Sequence, residues 1–447
     1  LRGCPARHAV SRFRDGILRA HGKLEPRHSE VHPVAARDSR LTPRRREYEY
    51  IVLGLGGLGS AAAYWLSRSV GDAVLGLEQF ELGHGRGETQ DHSRIIRLSY
   101  HTPAYVRLAK RAYETWWMLE ADAGEQVVLR TGGLDVAPRA AAIDLGTYTE
   151  SMTACGVSFE ELDAVEIMRR WPQWRLGDEH HGLFQAESGI AMAARATAAH
   201  QRMAREHGAT LRERAAVESI RSVDEGGEIE VVAGGDSYRA RSLLIAAGPW
   251  SSDVLAQFGV RLPLEVTQEQ VTYFASPRPG DFAPERFPIW IWMDDPCFYG
   301  FPTFGEPGPK AARDAGGRPV SAQSRTFDPD PTAVADVEMF LRRYLPDAIG
   351  PVIYTKTCLY TLTPDRDFVI DAVPGHPSVW VAIGAGHAFK FASVIGRILS
   401  ELAIGGRTPS DIAPFAITRP ILQMADPPRQ YMVCLLYTSD AADDLTR

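Results

Sequence analysis

Several cationic side chains of this sequence occur in segments where a charge without a binding role is not expected. Arg94 and Arg97 are three residues apart and follow a glycine-rich stretch that contains Gly83, Gly85 and Gly87. On a helical turn, residues three apart share one face. A solvated surface pair is the alternative for two such arginines, but the preceding glycines favour a role at a binding site.

Lys390 is the second notable cation. It follows a glycine turn at Gly386 and lies at the start of a helix predicted over residues 387–403. A helix N-terminus already carries partial positive charge and therefore repels a lysine. An anion bound between the helix and the lysine would offset this repulsion. Phe389 and Phe391 flank Lys390, which argues against the alternative of a simple surface lysine. We therefore predict that Lys390 faces a bound anion.

These side chains need a framework, and the framework begins at Tyr50. Residues 50–53 form an apolar run typical of a buried strand. The sequence GLGGLG follows at residues 54–59, and residues 60–69 are rich in Ala, Leu and Trp, as expected of a helix. A second apolar strand at residues 74–77 ends at Glu78. Strand, glycines, helix, strand and terminal acid in this order predict a dinucleotide-binding unit.

Each residue of the glycine motif has a physical role in that prediction. Gly54 permits the tight turn, Gly56 lets a pyrophosphate approach the backbone, and Gly59 lets the helix pack close to the strand. The helix N-terminus offers N–H groups to phosphate. Glu78 is placed to accept hydrogen bonds from a ribose diol. The alternative is a glycine-rich turn in an unrelated α/β unit.

Later segments favour FAD over NAD as the dinucleotide. Strands predicted near residues 216–220, 228–233 and 237–239 lead to a buried strand at 242–247, which enters a turn at Gly248. Another buried strand at residues 379–383 precedes the Gly384-Ala385-Gly386 turn. The chain thus returns to the same sheet twice, with other segments inserted between these strands. In a simple NAD dehydrogenase the strands of this sheet usually come from a more continuous stretch of chain. Val217 and Gly248 are predicted to contact the cofactor.

The bulk composition limits the class of protein. A chain of 447 residues predicts two joined domains, and a net charge of -7 argues against nucleic acid as the main partner. No apolar run is long enough to predict a membrane span. The five cysteines are scattered without metal-binding or disulfide spacing, so we predict no metal site and a reducing, cytoplasmic location.

Both ends of the chain look foreign to the fold. Residues 1–46 are rich in Arg and His and lack periodicity, so we predict a disordered or non-native extension, with a transit peptide as the alternative. The segment from Cys434 to Asp444 resembles the translation of a sequencing-library adapter. Residues 433–447 are therefore predicted to be an artefact.

The motifs together resemble the family of monomeric sarcosine oxidases and N-methyltryptophan oxidases, over residues 48–420. The resemblance is carried by the glycine motif and by four further ordered motifs: SRIIR at 93–97, YGFP at 299–302, CLY at 358–360 with Pro364-Asp365 after it, and GHAFKF at 386–391. It implies an α/β fold with a discontinuous Rossmann-type FAD-binding domain. It also implies a substrate domain built on an antiparallel sheet.

The resemblance implies roles for the cations. Arg94 would lie near the flavin ring, where a cation favours the reduced, anionic flavin. Arg97 and Lys390 would bind the substrate carboxylate, the arginine through its two-pronged guanidinium. Lys310, which follows Gly308-Pro309 in a predicted loop, would activate O2 by stabilising the charge of superoxide.

The remaining site residues are also implied by the resemblance. Cys358 would form a thioether to the flavin, although a lone cysteine is more often a small buried hydrophobe. Tyr299 and Tyr360 would line the substrate site, and Gly386 would contact the cofactor. Apart from the resemblance, His92 and His387 are possible proton handlers, although no single residue stands out as a required base. A dedicated base is unnecessary if the amine binds in its neutral form.

One position departs from the family pattern. Four residues after its lysine the family often has a histidine, and here that position is Asp314. A carboxylate there would repel a substrate carboxylate unless it is protonated, paired or turned away. Arg313 is the neighbour that could pair with it. A different substrate or a shifted loop over residues 311–318 are the other interpretations.

The predicted FAD-binding domain comprises residues 47–127, 187–259 and 361–418, and the substrate domain comprises 128–186 and 260–360, with a helix over 333–344. The predicted reaction is oxidation of a small secondary amino acid, such as sarcosine, to an imine, with O2 reduced to H2O2, by a monomer. The alternatives are an FAD-dependent amino-acid dehydrogenase or a D-amino-acid or glycine oxidase on the same scaffold. A flavoprotein kept as a binding subunit without turnover, and a nicotinamide dehydrogenase, are further alternatives.

Overall fold

The computed structural model describes residues 46–223 and 227–429. The predicted artefact over 433–447 and the predicted N-terminal extension, apart from Arg46, lie outside the described residues. All described residues fall in one compact unit. No helix in this part of the chain is long and apolar enough to cross a membrane.

Twenty strands and nine α-helices are assigned within the described ranges. The strands are β1 (Glu47–Leu53), β2 (Val74–Leu77), β3 (Arg94–Ile96), β4 (Val128–Arg130), β5 (Gly133–Pro138), β6 (Glu160–Asp163), β7 (His180–Gln185), β8 (Gly189–Ala191), β9 (Thr210–Arg212), β10 (Val217–Ser222), β11 (Ile229–Ala233), β12 (Asp236–Ile245), β13 (Glu265–Phe274), β14 (Ile289–Trp292), β15 (Phe298–Phe301), β16 (Lys310–Arg313), β17 (Arg318–Pro319), β18 (Val352–Leu362), β19 (Val369–Val373) and β20 (His376–Ile383). The helices are α1 (Gly57–Val70), α2 (Pro103–Ala123), α3 (Leu145–Ala154), α4 (Ala164–Arg170), α5 (Ala193–Glu206), α6 (Ser251–Ala256), α7 (Pro331–Tyr344), α8 (Ala392–Gly405) and α9 (Pro420–Gln423).

An eight-stranded sheet carries the glycine motif. Its main order is β10-β11-β12-β1-β2-β9, and β20 pairs with β12 while β19 pairs with β20. The pairs β1–β12, β1–β2, β2–β9 and β12–β20 are parallel. Strands from distant parts of the chain therefore lie side by side, which confirms the discontinuous α/β arrangement. Gly396 on α8 lets this helix approach α1 closely, because a Cβ there would lie 2.5 Å from the Ala61 carbonyl carbon.

A nine-stranded sheet forms the second layer. Its main order is β17-β13-β16-β15-β14-β5-β7-β6, with β18 paired to β13. All pairs are antiparallel except β14–β5. Phe340 of α7 stacks on Trp290 and Phe298, so this helix covers one face of the sheet. The predicted antiparallel sheet is confirmed with one parallel exception, whereas the domain boundaries stay a prediction.

Three predicted elements differ from the structure. The separate strands predicted over 237–239 and 242–247 are one strand, β12, which ends at Ile245. Its second half continues along β1 while its neighbour on the other side changes from β11 to β20. The helix predicted from residue 387 begins as a 3-10 turn over Ala388–Phe391 before α8. Lys310 lies in a strand, β16, and not in a loop, because its backbone pairs with β13 and β15.

Candidate active site

The glycine motif forms a tight turn between β1 and α1. Gly54 has a φ of 85°, and its N–H donates to the Leu77 carbonyl at 2.8 Å. A Cβ at Gly54 would lie 2.4 Å from the Ala246 oxygen, and one at Gly59 would lie 1.8 Å from the Gly54 oxygen. Both positions therefore require glycine, because any side chain would collide with backbone.

Glu78 closes this turn from the end of β2. Its carboxylate accepts hydrogen bonds from the N–H groups of Leu55 at 2.9 Å and Phe80 at 3.1 Å, and His84 lies 3.3 Å away. Burial opposes ionisation, but these partners hold the pKa of Glu78 below its usual range. Glu78 is thus ionised where a ribose diol was predicted to bind.

A cavity lies over the turn. Five of the predicted cofactor-binding residues line it: Gly54, Gly56, Glu78, Val217 and Gly248. Gly59 does not line it, because its role is to let α1 pack against the turn. The sequence-based assignment of these residues to one site is therefore consistent with their placement.

A second cavity adjoins the first. The two share the lining residues Gly57, Leu58, Glu88, Thr89 and Gly384. The second cavity brings together every predicted catalytic residue: Arg94, Arg97, Tyr299, Lys310, Tyr360, His387 and Lys390. Gly386 also lines it, and Ile143, Ile291, Met293 and Phe301 supply apolar wall.

Asp91 connects two of the cations, and the sequence analysis did not find it. Its Oδ2 atom accepts from Lys310 Nζ and from Arg94 Nη1, each at 3.0 Å, and its Oδ1 atom accepts from the Tyr273 hydroxyl at 3.0 Å. Burial opposes ionisation, but Lys310 and Arg94 hold the pKa of Asp91 well below its usual range. Burial lowers the pKa of Lys310 to about 8, although Asp91 counteracts the shift.

Arg97 is held by a second buried carboxylate. Its Nη1 atom donates to Asp135 Oδ1 at 2.9 Å, while Ser99 donates to the other carboxylate oxygen at 2.6 Å. Arg94 belongs to β3 and Arg97 follows its end, so the helical turn considered for this pair is wrong. Both side chains nevertheless line one cavity, because the regular alternation of a strand stops after Ile96.

Lys390 and His387 lie at the 3-10 turn before α8. Lys390 Nζ donates to the His387 carbonyl at 3.3 Å, and His387 Nε2 lies 2.8 Å from the Arg366 carbonyl. This contact fixes Nε2 as the protonated nitrogen. Burial, together with Lys390 and Arg366, holds the pKa of His387 well below its usual range. His387 is therefore a neutral ring and not a source of protons near neutral pH.

The two tyrosines line the second cavity, whereas Cys358, on the same nine-stranded sheet, lines neither cavity. Tyr299 is on β15, and Tyr360 is on β18 two residues after Cys358. Residues two apart on a strand point to one face, so the half-buried Cys358 thiol faces the same way as Tyr360. Burial raises the pKa of this thiol to about 11, with Arg94 acting in the opposite direction. Gly386, at φ 78°, leaves room for the Tyr360 ring.

Asp314 lines the second cavity as a paired carboxylate. Its partner is Arg366, whose Nη2 lies 3.4 Å from Asp314 Oδ2. The predicted pairing with Arg313 is wrong, because Arg313 points outward to Asp336 at 3.4 Å. Residues 310–313 are held in a strand, and Asp314 N donates to the Cys297 carbonyl at 2.9 Å.

Sequence analysis also missed Glu88 and Asp135. Glu88 lines both cavities and accepts from the Thr361 hydroxyl at 2.5 Å, and burial raises its pKa to about 7. A detectable signal existed for Asp135, since it interrupts an otherwise apolar strand and a buried acid needs a partner. No such signal marked Glu88, which lies in a polar glycine-rich stretch.

The residues present fit an FAD. A long dinucleotide needs a continuous groove with backbone close to its phosphates. Gly56 lines the first cavity at the turn, and Gly57, next to it, lines both cavities. A Cβ at Gly57 would lie 2.9 Å from the Phe389 ring, so there is no room for a side chain at this position. The cavity wall at Gly57 is therefore formed by backbone. Within residues 46–223 and 227–429, no cluster of three or more potential metal ligands is found.

Comparison with known proteins agrees with this geometry. The family model of FAD dependent oxidoreductases matches residues 49–402. The monomeric sarcosine oxidase of Streptomyces avermitilis is 37% identical over 380 residues, covering 82% of this chain and 96% of that protein. The N-methyl-L-tryptophan oxidase of Salmonella heidelberg is 33% identical over 381 residues, covering 83% of this chain and 99% of that protein.

A solved structure of NikD, described as an unusual amino acid oxidase essential for nikkomycin biosynthesis, superposes with a TM-score of 0.73 at 26% identity. It covers 83% of this chain and 98% of that one. These findings confirm the resemblance that the five motifs predicted. The chain belongs to the FAD dependent oxidoreductase family, in the group that contains the monomeric sarcosine oxidases and the N-methyl-L-tryptophan oxidases.

Proposed function

We propose that the protein binds FAD along the two adjoining cavities and oxidises a small secondary amino acid, such as sarcosine, to an imine while reducing O2 to H2O2. The observation that carries the proposal is the convergence of four cations, Arg94, Arg97, Lys310 and Lys390, on the cavity next to the glycine motif. The names of the relatives, sarcosine oxidase and N-methyl-L-tryptophan oxidase, support this class of substrate.

In this proposal, Arg97 and Lys390 bind the substrate carboxylate. Asp135 anchors one end of the Arg97 guanidinium, which keeps the side chain in place before substrate arrives. The apolar wall formed by Ile291, Met293 and Phe301 excludes water from the rest of the substrate. The preference for a small amino acid therefore rests on the two cations and on this wall.

The bound FAD would supply the acceptor for the two electrons and one proton that leave as a hydride equivalent from a C–H bond of the carbon next to nitrogen. The second proton leaves the amine nitrogen, so the substrate becomes an imine that water hydrolyses. With sarcosine the products are glycine and formaldehyde. O2 then takes up two electrons and two protons as H2O2. Lys310 supports that step as a fixed cation close to where negative charge develops.

Two finer features belong to the same proposal. Cys358 would hold the flavin through a thioether, which its position beside Tyr360 on β18 supports. The protein would act as a monomer in the cytoplasm. The relatives described as monomeric support the first statement, and the three described cysteines, which are all free, support the second.

The deciding experiment is anaerobic mixing of the purified protein with sarcosine, N-methyltryptophan, pipecolate and proline in turn, with the flavin absorbance recorded. Bleaching by at least one of them is expected, followed by recovery of colour and formation of H2O2 when air is admitted. If none of the four bleaches the flavin, the proposed substrate class is wrong. If bleaching occurs but air does not restore the colour, the protein is a dehydrogenase with another acceptor.

A further inference from the structure

Lys310 is a buried cation whose surroundings should favour loss of its proton. The side chain is 1% exposed, and its Nζ atom lies 4.0 Å from the centre of the Phe301 ring. Arg94 stands next to it, since both cations contact the same carboxylate oxygen. Of two neighbouring buried cations, the lysine is the one that loses its proton, because an arginine keeps its proton under all relevant conditions.

We propose that Asp91 is the positioning residue that keeps Lys310 charged and aimed at the cofactor cavity, and so determines how fast the reduced enzyme reacts with O2. The carboxylate touches Lys310 and Arg94 at once, so it offsets their mutual repulsion. The inference rests on the proposed function only for the O2 step. The charge state of Lys310 can be tested without any substrate.

The groups around Lys310 leave Asp91 as the source of stabilisation. The Ser93 carbonyl accepts from Nζ at 3.0 Å, and the Tyr273 ring, on β13, lies 5.6 Å away. Arg94, on β3, and burial both lower the lysine pKa, whereas Asp91 and, less strongly, Cys358 on β18 raise it. The Tyr273 hydroxyl donates to Asp91 and so fixes the carboxylate from its other side.

The first test measures the charge of Lys310 by chemical labelling. Oxidised holoenzyme is treated briefly with acetic anhydride, which reacts only with neutral amines, at several pH values. Mass spectrometry then compares Lys310 with the exposed Lys110. In the natural protein the labelling midpoint is expected near pH 8, the pKa that burial and Asp91 together produce. In Asp91→Asn, labelling of Lys310 at pH 7 is expected to rise about fivefold or more, because lowering the pKa by one unit raises the neutral fraction at pH 7 from about a tenth to about a half.

The second test measures reoxidation in a stopped-flow instrument. In Asp91→Asn, the rate with O2 at pH 8 is expected to fall about fivefold or more and to recover as the pH is lowered. Anaerobic reduction by substrate should change much less. Glu306→Gln is the matched control, because Glu306 is a nearby carboxylate that pairs with His92 and not with Lys310. Asp91→Glu, which keeps the charge, should retain most of the reoxidation rate.

Unchanged labelling and an unchanged reoxidation profile in Asp91→Asn would overturn the inference, as would faster reoxidation. Should this variant not fold, the natural protein still decides the matter, because a labelling midpoint below about pH 6 would show that Asp91 does not keep Lys310 charged. Labelling that depends on Asp91, in a protein that no secondary amino acid reduces, would support the electrostatic role and reject the proposed function.

Discussion

Nη2 of Arg366 lies 3.4 Å from Oδ2 of Asp314, so the acid that departs from the family pattern enters the second cavity already paired with a fully buried cation. Arg366 also donates through Nε to the Ala385 carbonyl at 3.1 Å, which ties the pair to the turn before His387. A paired carboxylate repels a substrate carboxylate less than an isolated one does. Asp314 is therefore compatible with an amino-acid substrate.

This pairing predicts the effect of Asp314→Asn. The substitution removes a negative charge from the cavity and leaves the Arg366 cation uncompensated, so the KM for sarcosine should fall several-fold while kcat changes little. The melting temperature should also fall, because a buried cation has lost its partner. Steady-state kinetics and thermal unfolding measure both effects. A KM that rises or stays constant would show that Asp314 does not act on the substrate carboxylate.

Replacing Lys310 tests the O2 step directly. Lys310→Met keeps the length of the side chain but removes its charge, so reoxidation by O2 should slow by about 100-fold or more. Anaerobic reduction by substrate should be largely spared. Lys356→Met is a matched control, since Lys356 is half-buried on β18 and does not line either cavity. Equal reoxidation rates in the natural protein and Lys310→Met would reject the role of this lysine.

Arg97→Gln tests the carboxylate-binding site. The variant retains a side chain that can hydrogen bond to Asp135 but loses the charge, so a small carboxylate that lacks the amine should bind about tenfold more weakly. Titration followed by the flavin spectrum gives the Kd. Arg195→Gln is a suitable control, because Arg195 is a surface residue paired with Glu125. The same Kd in the natural protein and Arg97→Gln would place the carboxylate elsewhere.

Cys358→Ser tests the covalent link. In the natural protein the yellow colour should stay with the polypeptide after acid precipitation, whereas in the variant it should pass into the supernatant. Cys297→Ser is the control, because Cys297 lines the same cavity as Tyr360 and a thiol there could be confused with the attachment site. If the colour is released from the natural protein as well, the flavin is bound without a thioether.

Glu269 predicts a specific dependence of stability on pH. Burial raises its pKa from 4.5 to about 7, so in this range the folded protein binds a proton that the unfolded chain has lost. Stability should therefore decrease as the pH rises from about 4.5 to 7, by at most about 3 kcal/mol from this group. Denaturant unfolding at pH 5 and pH 8 should show a smaller difference in Glu269→Gln. Identical differences in both proteins would contradict the raised pKa.

Local order along the chain was sufficient to predict the cofactor half of the fold. The strand at 50–53, the three glycines, the helix and Glu78 are contiguous, and their geometry depends on residues a few positions apart. The structure has β2 at the predicted bounds, whereas β1 and α1 each begin three residues earlier than predicted. The motifs around Arg94, Tyr299, Lys310, Tyr360 and Lys390 likewise predicted which side chains line one cavity.

The partners of those side chains were decided only by the tertiary structure. Asp91 and Lys310 are 219 positions apart, Arg97 and Asp135 are 38 apart, and Asp314 and Arg366 are 52 apart. Two strands far apart in sequence can lie side by side in a sheet, so no local spacing shows which acid meets which base. The sequence by itself determined the cofactor class and the cations of the site. The tertiary structure decided how those cations are neutralised, because electrostatic interactions depend on distances in space and on burial.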